Sequence, residues 1–194
     1  MREQLIKQLE KYVPYNQQEQ QDKETILQQL KTVDDIFYRE NVLQHMTASG
    51  WVVNPARDKV LMAYHNIYQS YSWLGGHADG DEDLLQVALK EVQEESGIKN
   101  VRALSDEILS IEILTVDGHE KRGKHVSSHL HLNITYLIEA DDSQQLLVAE
   151  DENSDVKWFG IDEAVESSNE QWFKDNIYSK LNEKLKSYIL TEKI

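Results

Sequence analysis

The chain has 194 residues, 40% hydrophobic and 28% charged, enough for one well-packed domain of about 150 residues with an extension and too few for two full-sized domains. Against 20 Lys and Arg stand 35 Asp and Glu, and the formal charge of -15 repels nucleic acid and acidic membranes, excluding both as general partners. The absence of Cys excludes disulfides, Cys zinc sites and thiol catalysis. No apolar run approaches the length of a membrane span, and Met1-Arg2-Glu3-Gln4 lacks the apolar core of a secretory signal, so a cytoplasmic protein is expected.

Within residues 1–40, Leu5, Leu9 and Tyr12 recur at helical spacing, as do Ile26, Leu30 and Val33, and Pro14 stands between the two sets. Two amphipathic helices are expected, an N-terminal helical extension capping the main domain. The alternative is an oligomerisation or partner role, a homodimer included. From His45 the text "HMTASGWVVNPARDKVLMAYH" predicts two strands around the turn cluster Asn54-Pro55-Ala56-Arg57-Asp58, a hairpin that opens a main domain over 41–168. A short run from Tyr71 leads to Gly75-Gly76. A helix is predicted over 82–96, with Leu85, Ala88, Leu89 and Val92 on one face and Gly97 as a left-handed C-cap. Further strands are predicted over 108–116, 129–139 and 156–159. Residues 169–194 are expected to pack a helix on the domain through Trp172, Ile177, Leu181, Leu185 and Tyr188.

Chemistry concentrates in "GGHADGDEDLLQVALKEVQEESGI". Glu91, Glu94 and Glu95 stand at i, i+3 and i+4, so their side chains leave the helix together, about a third of a turn from the apolar stripe. Like charges at that spacing destabilise a helix, and Glu94 and Glu95 also oppose its dipole. The arrangement is unfavourable for folding and suited to a divalent cation; the plainer reading is a solvated acidic face in a Glu-rich chain.

The rest of the segment shifts the balance. Gly76, five residues, Glu82, seven residues and Lys90-Glu91-Val92-Gln93-Glu94-Glu95-Ser96-Gly97-Ile98 resembles the signature box of the Nudix hydrolase superfamily, MutT-like proteins included, with Lys90 in place of the usual Arg. Such a match arises by chance in on the order of one chain in ten thousand. The resemblance implies an α/β fold, an α/β/α sandwich with a mixed β-sheet in which the box forms a loop, helix and loop. It implies hydrolysis of a phosphoanhydride bond in a nucleoside diphosphate linked to another moiety, a small nucleotide-type substrate, with Mg²⁺ or Mn²⁺. By motif position Glu91, Glu94 and Glu95 match the family's metal-binding carboxylates, one of which acts as or positions the base, and Glu82 matches a supporting position. A further carboxylate from outside the box is expected at Glu152, six residues before Trp158, with Glu150 and Asp151 as alternatives. Gly75 and Gly76 let the backbone approach the metal site closely. Lys90 keeps the charge of the Arg it replaces but offers a point contact where Arg offers a planar fork.

Outside the box, His77 follows the glycines, and "SHLHL" puts His129 and His131 on the same side of a strand. The expectation is polar lining of a substrate cleft; a zinc site from the His129 and His131 pair lacks a third convincing ligand. "HMTASGWVVNP", "GGHADGDED" and "HLHLNITYLIEA" together resemble a group of stand-alone bacterial-type Nudix proteins. Lys121, Arg122, Lys124 and His125 read as an exposed loop, or as a lid over substrate phosphates. Two rival functions remain: a nucleotide-binding sensor that has lost turnover through Lys90, and an isoprenoid diphosphate isomerase, which the complete hydrolase box and the absence of Cys disfavour.

Overall fold

Pro14 separates α1 (Arg2–Lys11) from α2 (Gln17–Thr32) in the computed structural model, which describes residues 1–121, 123–149 and 153–192. The Asn16 side chain caps α2, accepting from the Glu19 amide at 3.0 Å. The chain continues through β1 (Gln44–Val53), β2 (Lys59–His65), β3 (Ser70–Ser72), β4 (Leu74–His77), α3 (Leu84–Ser96), β5 (Val101–Ala103), β6 (Ser110–Val116), β7 (His119–Lys121), β8 (Lys124–Val126), β9 (His129–Ala140) and β10 (Asn153–Gly160). It closes with α4 (Ile161–Ser167), α5 (Gln171–Phe173), a π-helical segment (Lys174–Tyr178) and α6 (Ser179–Glu192).

The strands build a mixed sheet in the order β10-β2-β1-β9-β5, with β3 paired to β2, β4 to β1 and β6 to β9. The β1 strand runs parallel to β9 and antiparallel to β2 and β4. Being central, it is buried on both faces. Met46, Ala48 and Val52 join one core with Val92 of α3 and with Leu5, Leu9, Ile26 and Leu30 of the N-terminal helices. Trp51 and Val53 join a second core with Val60, Met62, Ile177, Leu181 and Leu185. Helices therefore cover both faces, the α/β/α sandwich expected. No helix among the described residues is long and apolar enough to cross a membrane.

The N-terminal helices also close the sheet's edge. The Ile113 amide of β6 donates to Asp22 Oδ2 at 3.0 Å, and Gln18 Nε2 donates to the Ile111 carbonyl at 3.3 Å, so α2 side chains occupy strand groups that would otherwise invite another chain. Beside this edge lies a buried ionic network. Lys184 Nζ reaches Glu19 Oε1 at 2.6 Å, and Lys180 Nζ bridges Glu19 at 3.1 Å and Glu112 at 3.0 Å. Burial holds Lys184 below the usual lysine range, an effect Glu19 offsets only in part.

Three features depart from expectation. Lys121 ends β7 and Lys124 and His125 begin β8, paired strands rather than a plain loop, with Gly123 at φ 75°; Arg122 lies outside the described residues. Trp172 is 50% exposed and packs no core; Phe173 and Tyr178 take that role. Plain helical phase accounts for this: at about 100° per residue Phe173, four positions before Ile177, lies about 40° from it, whereas Trp172, five before, lies about 140° away. The short elements α4 and β5 were not expected.

Candidate active site

The box forms α3, which Asp83 caps by accepting from the Gln86 amide at 3.3 Å and Gly97 ends with φ 71°. One face of α3 meets β4. A Cβ on Gly76 would lie 2.5 Å from the Glu91 carboxyl carbon, so only glycine lets this carboxylate lie against the strand. Glu95 is held at both oxygens: the Gly75 amide donates to Oε2 at 2.8 Å and Asn153 Nδ2 donates to Oε1 at 2.9 Å. Glu91 and Glu95, one helical turn apart, are half-buried. Glu94 is exposed, 3.6 Å from an exposed Lys90, an i, i+4 pair worth a few tenths of a kcal/mol. Glu82 faces the N-terminus, accepting from the Arg2 amide at 2.8 Å.

Beside this face opens a cleft of about 470 Å³, with Gly75, Gly76 and Glu95 in its lining. All seven histidines of the chain also line it. His45 and His131 are in register on the parallel strands β1 and β9, and Thr47 pairs with His77 on β4, so period-two alternation turns His45, His77, His129 and His131 to one side of the sheet. Their rings are neighbours: centroids stand 5.0 Å apart for His45 and His77, 4.9 Å for His45 and His129, and 4.9 Å for His77 and His131. Burial, with the adjacent His77, His45 and His129, pushes His131 down to about 2, and burial lowers His45 too. Deeper in, Thr47 and Ser49 donate to Asn133 Oδ1 at 3.0 and 2.9 Å, and Asn133 Nδ2 donates to Glu112 at 3.2 Å, linking the cleft to the buried ionic network. Trp73, Phe173 and Tyr178 supply an aromatic wall, with Trp73 edge-on to Tyr178 at 5.8 Å.

Of the residues singled out from the sequence, Gly75, Gly76, His77, His129, His131 and Glu95 converge on this cleft. Glu91 is on α3 behind Gly76, and Glu94 and Lys90 face outward. Glu150, Asp151 and Glu152 lie outside the described residues. Sequence reasoning missed His45, Asn153 and the aromatic wall. A period-two alternation of His45, Thr47 and Ser49 was there to be read.

The family model described as the NUDIX domain matches residues 43–181. No curated protein matches the chain by sequence. Among solved structures, a C. elegans Ap4A hydrolase binary complex is similar with a TM-score of 0.54 and 18% identity, covering 75% of this chain and 98% of that one. RenU, a Nudix hydrolase from M. smegmatis, is similar with a TM-score of 0.50 and 14% identity, covering 76% and 86%. At these identities the likeness is one of fold.

Proposed function

The chain belongs to the Nudix family, and from that premise we propose that it hydrolyses a phosphoanhydride (pyrophosphate) bond in a nucleoside diphosphate linked to another moiety, using Mg²⁺ or Mn²⁺. The observation that carries this reading is the fixing of Glu95 at the edge of the cleft by Gly75 and Asn153, one turn from a Glu91 seated against Gly76. The donor set suits a hard divalent ion: Glu91, Glu94 and Glu95 offer only carboxylate oxygens, each with more than one lone pair. When bound, such an ion neutralises phosphate charge and acidifies an attacking water. The chain's own contribution is orientation. Gly75 and Asn153 fix the plane of Glu95, Gly76 fixes the depth of Glu91, and one of these carboxylates accepts the proton of the water or aligns it. Lys90 steadies Glu94, and Glu152 is the proposed carboxylate from outside the box.

The substrate side of the reading places a base against Trp73, Phe173 and Tyr178 and the phosphates along Gly75, Gly76, His77, His129 and His131. Residues 41–168 carry the hydrolase domain, in a cytoplasmic setting. The test is a screen of nucleotide sugars, dinucleotides, ADP-ribose and nucleoside triphosphates with Mg²⁺ or Mn²⁺, repeated with Glu94→Gln and Glu95→Gln. We expect turnover by the wild type and about a 10²-fold or greater loss in each variant. Wild-type turnover and metal dependence in both variants would overturn the site. Tight nucleotide binding without turnover would overturn the enzyme in favour of a sensor.

A further inference from the structure

We propose that His45, His77, His129 and His131 form a binding site for a transition-metal ion of the zinc class, separate from the carboxylates of α3. The four side chains each bring one ring nitrogen to within 4.8 Å of the others. Three adjacent strands deliver them, so their backbones are fixed by the β4–β1 and β1–β9 ladders and not by a loop. Tetrahedral zinc with nitrogen ligands at about 2.0–2.1 Å needs those nitrogens roughly 3.3 Å apart. His129 Nε2 and His131 Nε2 already stand 3.1 Å apart, and small ring rotations bring in the other two.

The hydrogen bonds assign the tautomers. His45 Nδ1 lies 3.0 Å from the Asn41 carbonyl, and His129 Nδ1 lies 2.8 Å from the Ser127 carbonyl. A carbonyl only accepts, so both Nδ1 atoms carry the proton and both Nε2 atoms carry a lone pair. This is how metal-bound imidazoles are held: one nitrogen anchored to a carbonyl, the other presented to the ion. The decisive atom is His45 Nε2. His45 is 4% exposed, and this nitrogen is buried without a hydrogen-bond partner among the described residues. A histidine kept only for packing has both nitrogens satisfied or one in water, because an unmet buried acceptor is costly. An ion shared with its three neighbours meets it.

The ligand chemistry selects the ion. Imidazole suits zinc, nickel, cobalt and copper, whereas Mg²⁺ and Ca²⁺ prefer oxygen. The cleft would thus hold two metals of different class, one on carboxylates and one on imidazoles. This inference does not depend on the carboxylate metal site of the hydrolase reading; it gives to the ion the His77, His129 and His131 that the reading sets along the phosphates, and its readout is metal content.

The test is equilibrium dialysis of the full chain against Zn²⁺ with excess Mg²⁺, with metal analysis, for wild type, His77→Ala, His129→Ala and Glu95→Gln. Both histidine variants change half-buried side chains, and circular dichroism checks that they fold. The expected result is one saturable zinc in wild type and in Glu95→Gln, weakened about 10²-fold or more in His77→Ala and His129→Ala. Co²⁺ in wild type should give the intense visible absorption of a tetrahedral nitrogen site, a readout that needs no variant. Absence of saturable zinc, wild-type affinity in both histidine variants, loss of binding in Glu95→Gln alone, or a weak octahedral Co²⁺ spectrum would each overturn the proposal.

Discussion

Replacing Gly76 by Ala tests whether the seating of Glu91 serves catalysis. The new methyl carbon would lie 2.5 Å from the Glu91 carboxyl carbon and 2.5 Å from Oε2, where ordinary contact begins at 3.4 Å, so the carboxylate must retreat by about 0.9 Å. What moves is the end of a flexible side chain. The positive-φ glycines do not include Gly76, so the backbone accepts Ala, and the lost freedom of the unfolded chain offsets the small strain. Stability should therefore change by less than about 1 kcal/mol. A catalytic group displaced by about 1 Å, however, lowers turnover by on the order of 10²-fold. The assay pairs a denaturant titration with steady-state hydrolysis of the best screened substrate. Gly75→Ala is the contrast: its methyl would meet the Ala48 carbonyl oxygen at 2.5 Å and Ser49 Cα at 2.7 Å, backbone atoms of β1, and should cost about 1–3 kcal/mol of stability. A folded Gly76→Ala protein with wild-type turnover would refute the reasoning.

Mn²⁺ at about 100 times its dissociation constant should add roughly 2.7 kcal/mol to unfolding free energy, less in Glu91→Gln, and an unchanged wild-type denaturation midpoint would count against a preformed carboxylate site. Asn153→Ala should lower kcat about 10-fold with KM nearly constant, because it frees one oxygen of Glu95; equal kinetics would remove Asn153 from the site. Burial raises the Glu19 pKa, but Lys184 and Lys180 outweigh it and hold the folded value at about 2, below the unfolded value. Its stabilisation is thus complete above about pH 4.5 and lost as pH falls towards 2, so denaturant titrations from pH 6 to 3 should show a slope that Glu19→Gln flattens. The same slope in both proteins would exclude Glu19 as its source.

The carboxylate helix was legible because its information is local: spacing sets Glu91, Glu94 and Glu95 on one face whatever surrounds them. Even so, spacing alone grouped three equivalent carboxylates, and the fold separates a held Glu95 and a seated Glu91 from an outward Glu94. The histidine cluster was half legible. Period two joins His129 to His131, but His45 reaches them only through a parallel pairing 86 positions away in the chain, and strand register is a property of the whole sheet. Trp172 misled because its apolar character was weighed above its phase, which at about 100° per residue lies about 140° from Ile177. Glu19, Lys180 and Lys184 were not singled out, since nothing in an amphipathic pattern distinguishes a buried ion pair formed with a distant part of the chain.

That distance along the chain has a consequence during synthesis. Glu19 lies 165 residues before Lys184, so at about 5–20 residues per second its partner follows it from the ribosome by roughly 8–33 s. Throughout that interval α1 and α2 exist without the cations that make burying Glu19 favourable, and a charged carboxylate does not enter an apolar interior alone. Seating of Glu19 against the sheet is therefore favoured only once α6 has arrived. Without α2 seated, the β6 backbone groups that Asp22 and Gln18 occupy are open to pairing with another strand.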